Sequence, residues 1–144
     1  MLSNTCKYAL RAVIYLAVHT DKEKKIGIRK ISEELGIPTP FLGKILQTLA
    51  KNRILSSTKG PHGGFGIGEN PSKTTLMDIV EVIDGKDNFS MCAIGLKPCK
   101  KQEPYCVLHN KYAKSREEIK HLFESQSITM LAEEIKDGKQ KIII

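Results

Sequence analysis

The sequence predicts a mainly α-helical fold with a small β-hairpin, arranged as a winged helix-turn-helix plus a long C-terminal dimerisation helix. Three observations predict it. Two short amphipathic patterns within residues 28–52 are joined by a tight Gly36-Ile37-Pro38 turn. A glycine-rich hairpin signal, Gly60-Pro61-His62-Gly63-Gly64, follows directly. Beyond Cys106, an apolar stripe runs further than so small a domain could cover by itself.

Each element has a local cause. Ala9, Val13, Leu16 and Ala17 recur at helical spacing within residues 8–19, and the charged run from Asp21 to Lys25 ends that helix. Ile28, Ile31 and Leu35 mark a second helix over Ile28–Leu35, closed by Gly36, where a left-handed residue commonly terminates a helix. The third begins at Thr39 and Pro40, since proline is tolerated in a first turn, and runs to about Asn52. Leu42, Ile45, Leu46 and Leu49 give it an i, i+3, i+4, i+7 apolar face. Residues 54–59 and 65–68 read as short strands.

Thr75, with Asp78 three residues on, caps a fourth helix carrying Leu76, Ile79, Val80 and Ile83 up to Gly85. From residue 86 to 105 no period is visible, and Gly95, Pro98 and Pro104 exclude a continuous helix. Leu108, Tyr112, Ile119, Leu122 and Phe123 then share one stripe over residues 108–125, a helix of about 27 Å at 1.5 Å per residue. A partner helix from a second subunit is the natural cover for it. Ile128, Leu131 and Ile135 mark a last short helix ending at Gly138. The expected organisation is a winged domain over 1–85, a cysteine-containing sensor loop over 86–107, and a dimerisation segment with its short final helix over 108–144.

Charge is uneven along this frame. The 144 residues carry a net charge of +7. Residues 1–75 hold 12 Lys or Arg against 5 Asp or Glu, and the remainder hold 11 of each. A basic module beside a neutral one fits a domain that meets phosphate joined to one that does not; a solvated lysine-rich surface is the plain alternative. On the third helix Pro40, Gly43, Lys44, Gln47, Thr48 and Lys51 lie opposite the apolar face with no acid among them, as entry into a major groove requires. Lys44, Gln47 and the wing tip, Gly60 to Gly64, are the expected DNA contacts, with Lys51 and Lys59 meeting phosphate and Arg53 a lesser candidate.

Other classes fit poorly. The glycines lack the G-x-G-x-x-G and G-K-[ST] patterns of nucleotide cradles. His19, His62 and His121 have no evident catalytic partners, so an enzyme is not expected. Arg11 interrupts the first apolar stretch, which is too short to span a membrane, and a cytoplasmic protein is expected.

Cys92, Cys99 and Cys106 lie in the aperiodic stretch, with His109 three residues beyond, a C-x6-C-x6-C-x2-H spacing. Clustered cytosolic cysteines more often bind metal or sense redox state than form structural disulfides. Zinc sites usually pair cysteines as C-x2-4-C, a pattern missing here, whereas spread thiols can wrap an iron-sulfur cluster. Lys97, Lys100 and Lys101 lie between the thiols, where cations favour thiolate.

Tyr8-Ala-Leu-Arg11, Ile31-Ser-Glu-Glu-Leu-Gly-Ile37, Phe41-Leu-Gly-Lys-Ile-Leu46 and Gly60-Pro-His-Gly-Gly-Phe65 together resemble the Rrf-two family of winged-helix transcriptional regulators, over nearly the whole chain. The resemblance implies a homodimer on double-stranded operator DNA, each recognition helix in a major groove and each wing on the neighbouring minor groove. It implies an iron-sulfur cluster on Cys92, Cys99 and Cys106, with His109 completing a 2Fe-2S site as in IscR-like members; 4Fe-4S is the other form. Members that use an acid just before the Tyr-Ala-Leu-Arg stretch differ here, where Lys7 stands, and Cys6 is an additional candidate fourth ligand. The loop spacing is six and six rather than five and five, and Gly43 replaces a glutamate found in some members. The expected activity is regulation of operator affinity by the loop, through redox, iron or nitric oxide sensing. The alternatives are the same fold governed by zinc or thiol oxidation, and a helical adaptor that binds a protein partner instead of DNA.

Overall fold

The computed structural model describes residues 1–96 and 106–138, so Cys99 and the last six residues lie outside the described part. The elements are α1 (Asn4–His19), α2 (Ile28–Leu35), α3 (Thr39–Lys51), β1 (Leu55–Thr58), β2 (Gly64–Ile67), α4 (Leu76–Asp84), α5 (His109–Ser125) and α6 (Ile128–Lys136), with a 3-10 turn at Asn88–Ser90. The winged helix-turn-helix expected from the sequence is present.

Helix α1 starts four residues earlier than its apolar period suggests. Ser3 caps it, its hydroxyl accepting the Cys6 N–H at 3.0 Å and satisfying a first-turn donor. The Asp84 carboxylate, at the end of α4, accepts the Ser3 N–H at 2.8 Å and so ties α1 to α4. At α4 the Thr75 and Asp78 side chains form the reciprocal capping box that their spacing predicts.

Strands β1 and β2 pair antiparallel, Leu55 opposite Ile67 and Thr58 opposite Gly64. Ile26 adds a one-residue third edge, exchanging two 2.9 Å backbone bonds with Phe65. The hairpin is thereby fastened to the chain entering α2, which fixes its angle to the helices.

The main apolar cluster joins Val13 and Leu16 of α1, Ile31 of α2, Leu42, Leu46 and Leu49 of α3, and Ile79 of α4. Ile128 and Ala132 of α6 belong to the same cluster. Backbone bonds hold α6 there, Leu76 N–H to the Gln126 carbonyl at 3.0 Å and Ile128 N–H to the Thr74 carbonyl at 2.9 Å. Residues 108–138 therefore divide between an outward helix and a core helix, a destination that periodicity cannot reveal.

Helix α5 contrasts with the rest. It has no buried residue, and Ile119 and Leu122 are 41% and 53% exposed. Its inner face leans on the body through Phe123, whose ring centroid lies 5.6 Å from that of Phe89. Among the described residues no helix is long and apolar enough to cross a membrane.

Candidate functional site

The turn between α2 and α3 is built to hold a helix at a set angle. Gly36 is left-handed at φ +62°, a conformation a Cβ would disfavour. The Ile37 N–H donates to the Ser32 carbonyl at 3.1 Å, and the Thr39 hydroxyl bonds the Ser32 hydroxyl at 3.0 Å. With Leu42, Ile45, Leu46 and Leu49 buried, α3 turns Pro40, Lys44, Gln47, Thr48 and Lys51 to solvent. Of these, Thr48 also spends its hydroxyl on the Lys44 carbonyl at 2.9 Å.

Gly43 has a packing neighbour as well. A Cβ there would lie 3.2 Å from Ile28 Cδ1, so this glycine also eases the close crossing of α2 and α3. Two wing glycines have a similar reason. A Cβ at Gly63 would sit 2.1 Å from the Thr58 carbonyl oxygen, and one at Gly64 2.3 Å from that of Ile26. Gly60, at φ +105°, turns the tip, and Lys59, Gly60, Pro61 and His62 are exposed there.

Between α3 and the wing lies an open groove of about 960 Å³. Arg29, Gln47, Lys51, Thr58 and Lys59 line it, and none of its described lining residues is acidic. The groove thus focuses positive potential on one face. Arg29 was missed in the sequence because α2 reads as a supporting helix; its place in the exposed first turn beside Gly27 was the available signal. Arg53 instead lines a separate polar cleft with Asp78 and Glu81.

At the other end, the fold brings Cys92 and Cys106 together, their sulfurs 3.7 Å apart. That is far longer than a disulfide bond of about 2.05 Å. The contact is a thiol–thiol hydrogen bond, Cys92 Sγ donating to Cys106 Sγ. The separation is also compatible with both sulfurs on one tetrahedral metal, whose edge is about 3.8 Å at metal–sulfur bonds of about 2.3 Å. Cys106 sits just before α5, its sulfur accepting the Leu108 N–H at 3.5 Å and its carbonyl the His109 N–H at 2.8 Å. Among the described residues no third His, Cys, Asp or Glu joins the pair in a metal-binding group, and Cys99 is outside them.

Cys6 is of another kind. It is fully buried beside Met77 and Val80. Burial, and then the nearby Asp84 carboxylate, push its thiol from the ordinary 9.0 up to about 12. A thiol held protonated in an apolar pocket is a packing group and a poor ligand.

Known proteins extend these observations. Residues 2–134 match the family described as Rrf2, iron-dependent transcriptional regulator. A chain of Aquifex aeolicus (strain VF5), named as an HTH-type transcriptional regulator, is 33% identical over 129 residues, spanning 89% of this chain and 88% of that one. The HTH-type transcriptional regulator IscR of Photorhabdus laumondii is 26% identical over 130 residues, spanning 90% and 77%. In fold, CymR, the global cysteine regulator of B. subtilis, superposes with a TM-score of 0.75 at 22% identity over 92% of this chain and 96% of that one. T. potens IscR does so at 0.72 and 18% identity, over 99% and 93%. These relatives are transcriptional regulators, not enzymes. With its winged reading head and a family match across nearly its full length, the chain belongs to the Rrf2 family of transcriptional regulators.

Proposed function

We propose that the chain is a homodimeric, sequence-specific DNA-binding regulator whose operator affinity is set by an iron-sulfur cluster on Cys92, Cys99 and Cys106, completed by His109. The observation that carries the DNA half is the acid-free groove between α3 and the wing. Lys44 and Gln47 read base edges in the major groove, while Arg29, Lys51 and Lys59 neutralise phosphate. Gly60, Pro61 and His62 at the wing tip lie along the neighbouring backbone. Gly43, Gly63 and Gly64 support this surface by letting the elements close on one another.

The sensing half rests on the 3.7 Å separation of the Cys92 and Cys106 sulfurs, which suits two thiolates on one tetrahedral metal. When bound, the cluster supplies soft iron-thiolate bonds that oxidants, iron depletion or nitric oxide break. The chain's own part is to place the donors. The loop joins α4, which packs in the reading head, to α5, whose exposed Ile119 and Leu122 form the dimer contact. Ordering the loop therefore sets the spacing of the two heads, and acts only through the difference in affinity between the two arrangements. Cys6, fully buried beside Met77 and Val80, is assigned to packing in this reading.

A second reading has a specific support. The same sulfur pair suits zinc, or thiol oxidation after a small approach, and one fold neighbour is the S. aureus CymR in its oxidized form. Anaerobic purification with iron, sulfide and zinc analysis separates the readings. The cluster reading expects a brown protein with iron and sulfide that is lost in Cys92→Ser. A colourless protein with stoichiometric zinc, or with no metal, overturns it.

A further inference from the structure

We infer that Arg116 is the positioning residue that couples the cysteine loop to helix α5. Its Nη1 donates to the carbonyls of Ser90 and Met91, at 3.4 and 3.3 Å, the two residues immediately before Cys92. Tyr112, one helical turn earlier, lies with its ring centroid 5.8 Å from the guanidinium carbon, within cation-π range. The loop's far end needs no such tie, because Cys106 runs directly into α5. Both cysteines of the close pair are thus referenced to one helix, Cys106 through the chain and Cys92 through Arg116.

The geometry favours transmission over simple bracing. Both bonds are longer than the roughly 2.9–3.0 Å at which such bonds cluster. The Arg116 Nε is buried and has no hydrogen-bond partner among the described residues. A buried donor left over beside two stretched bonds makes the guanidinium sensitive to small shifts of the 90–91 segment against α5. A rigid planar fork passes such a shift on to the helix; a lysine, with one flexible ammonium, does so poorly. This inference rests on the reading of the loop as the regulated element.

The test compares the full-length chain with Arg116→Lys and Arg116→Met, each stripped by chelator or reconstituted with iron and sulfide. Wild type is expected to change its affinity for its own promoter DNA by about fivefold or more between the two states. Both variants should load the same iron per chain, yet bring that ratio to within about twofold of one. In the stripped chain, alkylation of Cys92 should quicken by about threefold or more in Arg116→Met while Cys6 stays inert, since its segment is released. A folded Arg116→Lys or Arg116→Met that keeps the wild-type ratio and alkylation rate overturns the inference alone. A wild-type chain whose DNA affinity ignores loop state overturns the sensing reading, and this inference with it.

Discussion

The reading head and helix α5 are built on opposite terms. In the head, Leu16, Leu42, Leu46, Leu49 and Ile128 are wholly buried, and glycines at 63 and 64 stand where a Cβ would run into backbone. Helix α5 buries nothing completely, keeps Ile119 and Leu122 in solvent, and makes its ion pairs, Lys114–Glu118 and Lys120–Glu124, along its own surface. Such exposed pairs contribute little, about 0.3–0.5 kcal/mol each. The head closes its core within one chain; in the proposed reading, α5 and the cysteine loop are completed by a second subunit and a bound group. Tight packing lies behind the groove proposed to read bases, and exposure along the helix proposed to carry the signal.

The comparison can be broken first in the head. Leu46→Ala should cost about 2–5 kcal/mol of stability by cavity formation in the shared core, read by denaturant unfolding. A loss under 1 kcal/mol would mean the core is looser than its burial indicates. On the surface of the same helix, Lys44→Ala should leave the melting temperature unchanged and weaken promoter binding by about 1–3 kcal/mol. Equal promoter affinity in the folded variant would remove Lys44 from the interface.

Helix α5 sharpens the contrast from the other side. Leu122→Glu should change the stability of the isolated chain by no more than about 0.5 kcal/mol, as at other exposed positions. The same variant should shift the dimer toward monomer in sedimentation; an unaltered dimer would place the interface elsewhere.

The effect confined to alkaline pH is that of the buried thiol. Because folding raises the Cys6 pKa from 9.0 to about 12, the folded chain holds its proton where the unfolded chain has lost it. Its contribution is fully present below pH 9 and is lost as pH rises from there toward 12. Cys6→Ala should therefore lose less stability than wild type between pH 9 and 11, with no such divergence near pH 7. Parallel pH profiles would contradict the assignment.

Local signals were legible wherever a residue acts through its neighbours in sequence. The end of α2 follows from Gly36, the start of α4 from Thr75 and Asp78, and the outward face of α3 from the spacing of its leucines and isoleucines. What was not legible depends on distant partners. Ser3 caps α1 with help from Asp84, 81 positions away, and nothing in Ser3-Asn4-Thr5 announces it. Gly43 owes its identity to Ile28, and Gly64 to the carbonyl of Ile26. Arg29 joins the groove only because the wing folds over the first turn of α2. Cys92, Cys99 and Cys106 stand out in sequence as thiols gathered in one aperiodic stretch, whereas the close approach of Cys92 to Cys106 is a product of the fold.

The central claim is that a cationic reading head and a soft-donor loop act as one device. Fluorescence anisotropy with the chain's own promoter fragment, in loaded and stripped states across a salt series, tests it most directly. The account predicts log affinity falling linearly with log salt, by about 0.9 per phosphate neutralised, and the two states differing about fivefold or more. A flat salt dependence, or identical affinities for promoter and unrelated duplex in both states, would contradict it.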